Sequence, residues 1–193
     1  MMPRATPAFA AALSLLIPIG CPSLVGLVPA VGITAGVLST QAAYAQSAMA
    51  IYESGEEKFN RKDYQGAIFD YSRLIELYPQ SRSGYFARGM SKASLGKYKS
   101  AVNDYTKALQ IDPSFVAAYI GRSEAKMKLG NTKGSIEDLD AAIELDSKNA
   151  FAYRVRGIRK EKLSDLEGAC ADWSKAAELG DKAPVAEWVK KQC

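Results

Sequence analysis

A pattern of residue types recurs every 34 residues between positions 48 and 181, and this periodicity limits the possible folds more than any other feature. One column of the pattern holds small residues, at Gly55, Gly89, Ser123 and Gly157. The four copies follow one another without an insertion. A fixed period of this length is typical of a solenoid, in which one helical hairpin cannot bury its apolar face alone and stacks on its neighbours.

Other columns have the same period. A second column of small residues holds Ala67, Ala101, Ser135 and Ala169, and a column of large residues holds Tyr71, Tyr105, Leu139 and Trp173. An aliphatic column holds Leu74, Ala108, Ala142 and Ala176. Two units end in a proline, at Pro79 and Pro113. We expect the small residues to let the two helices of a hairpin approach closely, and the large ones to fill the space toward the next unit.

This combination of small, aromatic and proline positions resembles the tetratricopeptide repeat (TPR). The resemblance implies an all-α fold, a right-handed superhelical solenoid of four helix-turn-helix units at 48–81, 82–115, 116–149 and 150–181. A further helix at 183–193 is expected to cap the last unit, because the end of a solenoid must cover its apolar face. The C-terminal run from Gly168 to Trp173 and the terminal cysteine resemble those of exported bacterial repeat proteins, cyanobacterial ones among them.

The helix boundaries follow from turn residues. The predicted helices are 48–61, 64–77, 82–95, 98–111, 116–129, 132–145, 150–163 and 166–179. Gly96 and Gly130 can adopt the left-handed conformation that follows a helix terminus. Ser164 followed by Glu167 predicts a capping box at the start of the last helix.

Residues 1–45 have the composition of a signal peptide. Arg4 is their only charged residue, apolar segments follow, and Ala43-Tyr44-Ala45 is a small-x-small cleavage site before Gln46. The alternatives are an uncleaved membrane anchor, which would be the chain's only contact with a membrane, and a lipoprotein site at Cys21. The second fits less well, since Pro18 stands where leucine is usual.

The mature chain would keep two cysteines, Cys170 and Cys193. Two antiparallel helices joined near Gly180 would return the chain to the height of Cys170, so a disulfide is expected. The alternative is two free thiols in a reducing cytosol. A disulfide and a signal peptide together predict an exported protein, in the periplasm or the thylakoid lumen.

Charged residues also follow the period. They are Asp70, Asp104, Asp138 and Asp172 on second helices, and Arg88, Arg122 and Arg156 on first helices. They could pair between stacked units, as Asp70 with Arg88, Asp104 with Arg122 and Asp138 with Arg156, or within one unit. Either arrangement predicts a structural ion-pair ladder that sets register. The functional alternative is that the arginines bind acidic ligands.

The resemblance implies that ligands bind in a concave groove lined by the first helices. The residues predicted to contact a peptide there are Tyr52, Phe59, Phe86, Met90, Ile120, Met127, Arg154 and Ile158. Some family members hold a peptide carboxylate with a lysine, asparagine and arginine clamp, but the corresponding positions here are Tyr52, Glu56, Ala87, Ala117 and Gly121. The groove instead suits a segment with apolar anchors. Alternatively, several of these residues pack between repeats.

Composition argues against catalysis. The chain has no histidine, so the usual general base and commonest metal ligand are missing, and neither a phosphate-binding glycine loop nor a cofactor motif is present. Charges of both signs occur within every repeat, which argues against a nucleic-acid partner. The favoured function is an exported adaptor that binds a protein or peptide, with envelope or membrane-complex assembly as a candidate role. The alternatives are a membrane-tethered scaffold and a self-associating structural solenoid.

Overall fold

The computed structural model describes residues 47–181, 188–189 and 193, and from 47 to 181 the chain forms helices without a strand. The helices are α1, described over 47–60, α2 (Tyr64–Leu77), α3 (Arg82–Ser94), α4 (Tyr98–Ile111), α5 (Val116–Lys128), α6 (Thr132–Leu145), α7 (Ala150–Lys162) and α8 (Leu166–Glu178). Each odd-numbered helix and its successor form one hairpin, and consecutive helices pack on one another along the stack. The prediction of an all-α solenoid is confirmed.

Turn chemistry sets the helix ends. Helices α2, α4 and α6 have the predicted bounds, while α3, α5, α7 and α8 are one residue shorter. Gly96 and Gly130 have φ of 73° and 79°, the predicted left-handed conformation. Ser164, in the equivalent place, has φ 63°, and Asp165 is the N-cap of α8, its side chain accepting from the amide of Gly168. The capping box from Ser164 to Glu167 is therefore wrong, because Ser164 belongs to the preceding turn.

The large side chain of each unit lies against a small residue of the facing helix. A Cβ atom added at Gly89 would lie 2.9 Å from Cε1 of Tyr105, and one added at Gly55 would lie 2.6 Å from Cε1 of Tyr71. At Gly157 the added atom would lie 2.5 Å from Nε1 of Trp173. Real Cβ atoms do not come this close to other heavy atoms, so glycine is required wherever the opposite residue is aromatic.

The same aromatic ring also reaches the next unit. Tyr105 contacts the place where Gly121 of α5 would carry a Cβ, again at 2.9 Å, and Tyr71 packs with Ala87 of α3. One ring therefore sets both the spacing within its hairpin and the spacing to its neighbour, as predicted for the large column.

Unit 116–149 uses a different combination. Ser123 replaces glycine, Leu139 replaces the aromatic residue, and the hydroxyls of Ser123 and Ser135 form a hydrogen bond of 2.9 Å. The smaller Leu139 leaves room for Ser123, and Val155 of the next unit packs against Leu139. The smaller side chain at position 139 is thus offset by larger residues at the positions that face it.

Residues 1–45, which contain the predicted signal peptide, lie outside the described residues, as does most of the predicted helix 183–193. Trp188 and Val189 are helical and pack on Trp173, with indole centroids 5.5 Å apart. The described helices include none long and apolar enough to span a membrane.

We predict that Gly89→Ser destabilises the protein by about 1–3 kcal/mol, because the new side chain overlaps the ring of Tyr105. In the background Tyr105→Leu, which reproduces the pair found at Ser123 and Leu139, the same substitution should cost at least about 1 kcal/mol less. Urea unfolding of the wild type, both single variants and the double variant measures this coupling. Additive effects would contradict the packing described.

Candidate protein-interaction surface

A pocket opens at the N-terminal end of the stack. Its walls are formed by Tyr52 and Phe59 of α1, Tyr71 of α2 and Ala87 and Met90 of α3, and its volume is about 170 Å³. The rings of the two tyrosines are 5.6 Å apart between centroids and inclined at 50°. Three of the predicted groove residues, Tyr52, Phe59 and Met90, are therefore brought together in one place.

The rim of this pocket is polar. Glu56 and Asn60 lie on it, and both are exposed. Burial raises the pKa of Tyr52, and the carboxylate of Glu56 raises it further. The pKa of Tyr71 is raised mainly by burial as well, with contributions from Tyr52 and Glu56. Both phenols stay protonated at neutral pH, so Glu56 supplies the charge of the pocket.

Two predicted groove residues serve the packing between repeats. The ring of Phe86 lies 5.0 Å from that of Phe115 and 5.7 Å from that of Tyr105. Ile120 packs against the buried cluster that contains Leu139 and Val155. Both side chains are half-buried by these contacts, in agreement with the alternative that some groove positions are structural.

The remaining predicted residues lie toward the C-terminal end or in α5. Arg154 donates from Nε to Asp181 at 2.7 Å and lies over the ring of Phe151, so its guanidinium is engaged within the protein. Ile158 lines a second pocket, of about 230 Å³, with Trp173 and Trp188. Met127 is half-buried in α5.

The ion pairs form within units. Arg122 donates from Nε and Nη2 to the two carboxylate oxygens of Asp138, at 3.0 and 2.7 Å. Arg88 binds Asp104 and Arg156 binds Asp172 in the same way. Pairing of Asp70 with Arg88, Asp104 with Arg122 and Asp138 with Arg156 is therefore wrong, because each arginine faces the second helix of its own hairpin.

The arginines nevertheless join neighbouring units. Nη1 of Arg122 donates to Thr106 Oγ1 of the preceding unit at 3.2 Å, and Nη1 of Arg88 donates to Ser72 Oγ at 3.2 Å. Nη1 of Arg156, in the last unit, donates to Asp140 of the preceding unit at 2.7 Å. The hydrogen bond to Asp172, and after it that to Asp140, raise the pKa of Arg156 against the effect of burial.

Each aspartate also binds a lysine, an interaction that was not predicted from the sequence. Lysines four residues after the arginine column, at Lys58, Lys92, Lys126 and Lys160, bind the four aspartates at 2.6–2.9 Å. Asp70, which faces Ser54 instead of an arginine, accepts from Ser54 Oγ at 2.8 Å. The 34-residue spacing of these lysines was visible in the sequence. Each of the three guanidinium nitrogens of Arg122 donates to an acceptor within the protein, which favours the structural interpretation of the ladder over the binding of acidic ligands.

We predict strong coupling between Arg122 and Asp138. Removing either side chain leaves a largely buried charge without its main partner, so each alanine variant should lose about 3 kcal/mol of stability. The double variant Arg122→Ala/Asp138→Ala should lose clearly less than the sum. The corresponding double-mutant cycle of Arg122 and Asp104 should be close to additive, because Asp104 belongs to the preceding unit and pairs with Arg88. Thermal or urea unfolding measures both cycles, and equal coupling in the two would contradict the pairing.

Two family models match the sequence, one described as TPR repeat at residues 91–130 and one described as tetratricopeptide repeat at residues 116–149. Residues 91–149 therefore consist of tetratricopeptide repeats. The units outside the matched residues share the same columns and the same hairpin of two helices. No curated protein matches the sequence.

Solved structures share this TPR fold. MamA from Desulfovibrio magneticus RS-1 is 21% identical, with a TM-score of 0.64 over 68% of this chain and 75% of that one. A thermophilic TPR protein from Thermus thermophilus is 17% identical, with a TM-score of 0.64 over 75% of this chain and 80% of that one. The first TPR domain of Spaghetti, bound to an HSP90 peptide, is 24% identical, with a TM-score of 0.60 over 62% of this chain and 94% of that one. At these identities the likeness is one of fold.

Proposed function

We propose that the protein is an exported, non-catalytic adaptor that holds a segment of another polypeptide against the first helices of its repeats. The TPR fold supports a protein-interaction module, and a structurally similar TPR domain is bound to a peptide. The observation that carries the proposal is the open pocket in which Tyr52, Phe59 and Met90 meet.

The chemistry of this pocket favours a polypeptide anchor. Its walls are aromatic and thioether side chains, which adapt to an apolar or amphipathic side chain without requiring one shape. The first helices α3 and α5 contact each other as well as α4, so they lie on the inner side of the stack. A segment that fills the pocket can therefore continue along these helices. Within the described residues no group of acidic or cysteine side chains is arranged to hold a metal ion.

We predict that a photo-crosslinking residue at Asn60, on the pocket rim, captures a specific partner in the native cell envelope. The same residue at Phe69 of α2, which is 69% exposed and does not line the pocket, should not capture it. Met90→Ala should reduce the yield at position 60 at least about tenfold, since burial of a methionine side chain beneath the bound segment contributes roughly 1.5–3 kcal/mol. Equal capture from positions 60 and 69, or no effect of Met90→Ala, would contradict the pocket as the binding site.

Export is proposed from the N-terminal composition and from the cysteines. The Cα atoms of Cys170 and Cys193 are 5.8 Å apart, a distance that suits a disulfide. Such a bond would fix the chain around Trp188 and Val189 to α8. It also agrees with an oxidising compartment, either the periplasm or the thylakoid lumen.

We predict that the native protein begins at Gln46 and that its two remaining cysteines are oxidised. Intact-mass spectrometry with and without a reductant tests both statements. Reduction, or the variant Cys193→Ser, should lower the stability by about 3 kcal/mol, because the bond closes a loop of 23 residues. A native protein that begins at Met1 would instead indicate the tethered scaffold, and free thiols would contradict export.

A further inference from the structure

Glu56 carries an exposed carboxylate on α1. The cations nearest to it in sequence are engaged elsewhere: Lys58 binds Asp70 at 2.6 Å, and Arg61 contacts Glu57 at 3.4 Å. Within the described residues Glu56 has no ion-pair partner, although it lies on the rim of an aromatic pocket. An exposed carboxylate over such a pocket can attract a cation that enters from outside.

The protein contains an internal version of this contact. Glu124 occupies the position of Glu56 two units further along, and its carboxylate accepts a hydrogen bond from Nη2 of Arg159 at 2.6 Å. Arg159 lies on the first helix of the next unit and is 9% exposed. A carboxylate at this repeat position is therefore placed to bind a guanidinium that lies between two first helices.

The first two units lack that guanidinium. The residue equivalent to Arg159 is Ser91, whose hydroxyl donates to the carbonyl of Ala87 in its own helix at 2.9 Å. Ala87 itself stands where the last unit has the larger Val155. These two small residues lie in the unit where the pocket of about 170 Å³ is found, a volume of roughly six water molecules.

The walls of the pocket suit the same group. Ring faces of tyrosine and phenylalanine attract cations, and guanidinium groups stack on them. The methylene stem of an arginine or lysine can pack against Met90 and Phe59 while its charge stays near Glu56. A carboxylate in this place would instead be repelled by Glu56.

We propose that the pocket binds an arginine or lysine side chain of the partner polypeptide, with Glu56 as its counter-ion and Tyr52, Phe59 and Tyr71 as its aromatic walls. This inference rests on the proposed function, which requires only that a segment binds in the groove. It adds that the anchor is cationic, in the manner of the internal contact between Arg159 and Glu124.

The test is selection of binding peptides from a random library with the full chain. We expect the selected peptides to share an arginine or lysine, and replacement of that residue by methionine to weaken binding about tenfold. Glu56→Gln should weaken binding by a similar factor, while Glu53→Gln, which removes an exposed carboxylate of α1 outside the pocket, should have no effect. Glu56→Lys should reject the original peptide and bind the one in which its cation is replaced by glutamate.

The outcomes separate the two proposals. Peptides whose binding is weakened by Met90→Ala, but which show no preference for a cation or no response to Glu56→Gln, would overturn the cationic anchor and leave the adaptor function. Failure to select any peptide would count against both. Circular dichroism of each variant shows whether a loss of binding reflects a loss of fold.

Discussion

The close approach of helices around one bulky side chain per unit is the constraint on which the structure depends. Tyr105 lies between Gly89 of its own hairpin and Gly121 of the next, and a Cβ at either glycine would come within 2.9 Å of its ring. Because one ring makes both contacts, the width of a hairpin and its distance from the neighbour are not independent. Each interface is therefore specified by a local set of volumes, as expected when a solenoid is stabilised by nearest-neighbour terms.

The columns of charged residues restrict movements of the helices that side-chain packing alone would permit. Each arginine uses two nitrogens on the aspartate of its own unit and the third on a side chain of the unit before it, so the ladder resists rotation within a hairpin and sliding between hairpins. The proposed binding pocket lies where the residues in these columns differ from those of the other units. Ser54 replaces the arginine in the first unit, Ser91 stands in place of Arg159, and the pocket with Glu56 on its rim occurs between these two units.

Most of the fold could be predicted because the same information is present four times. Periodicity located the hairpins, and glycine at 96 and 130 located the turns. Predictions that depended on a single copy were less successful. Ser164 adopts the left-handed conformation in place of a glycine, and Arg154 turns to Asp181, 27 residues away, which no column of the repeat indicates. The direction of a half-buried side chain such as Phe86 depends on its facing residue, which the sequence pattern does not specify.

Units should be interchangeable wherever the volumes of the facing residues match. Deleting residues 82–115 would bring Tyr71 against Gly121, a residue that already accommodates a tyrosine, whereas deleting 116–149 would bring Tyr105 against Val155, which now faces Leu139. The decisive measurement is the free energy of unfolding of the two three-unit proteins. The first should unfold cooperatively and be more stable than the second by about 1–3 kcal/mol, the usual cost of overpacking. Equal stabilities, or failure of the first to fold, would show that the facing volumes do not specify the interfaces between units.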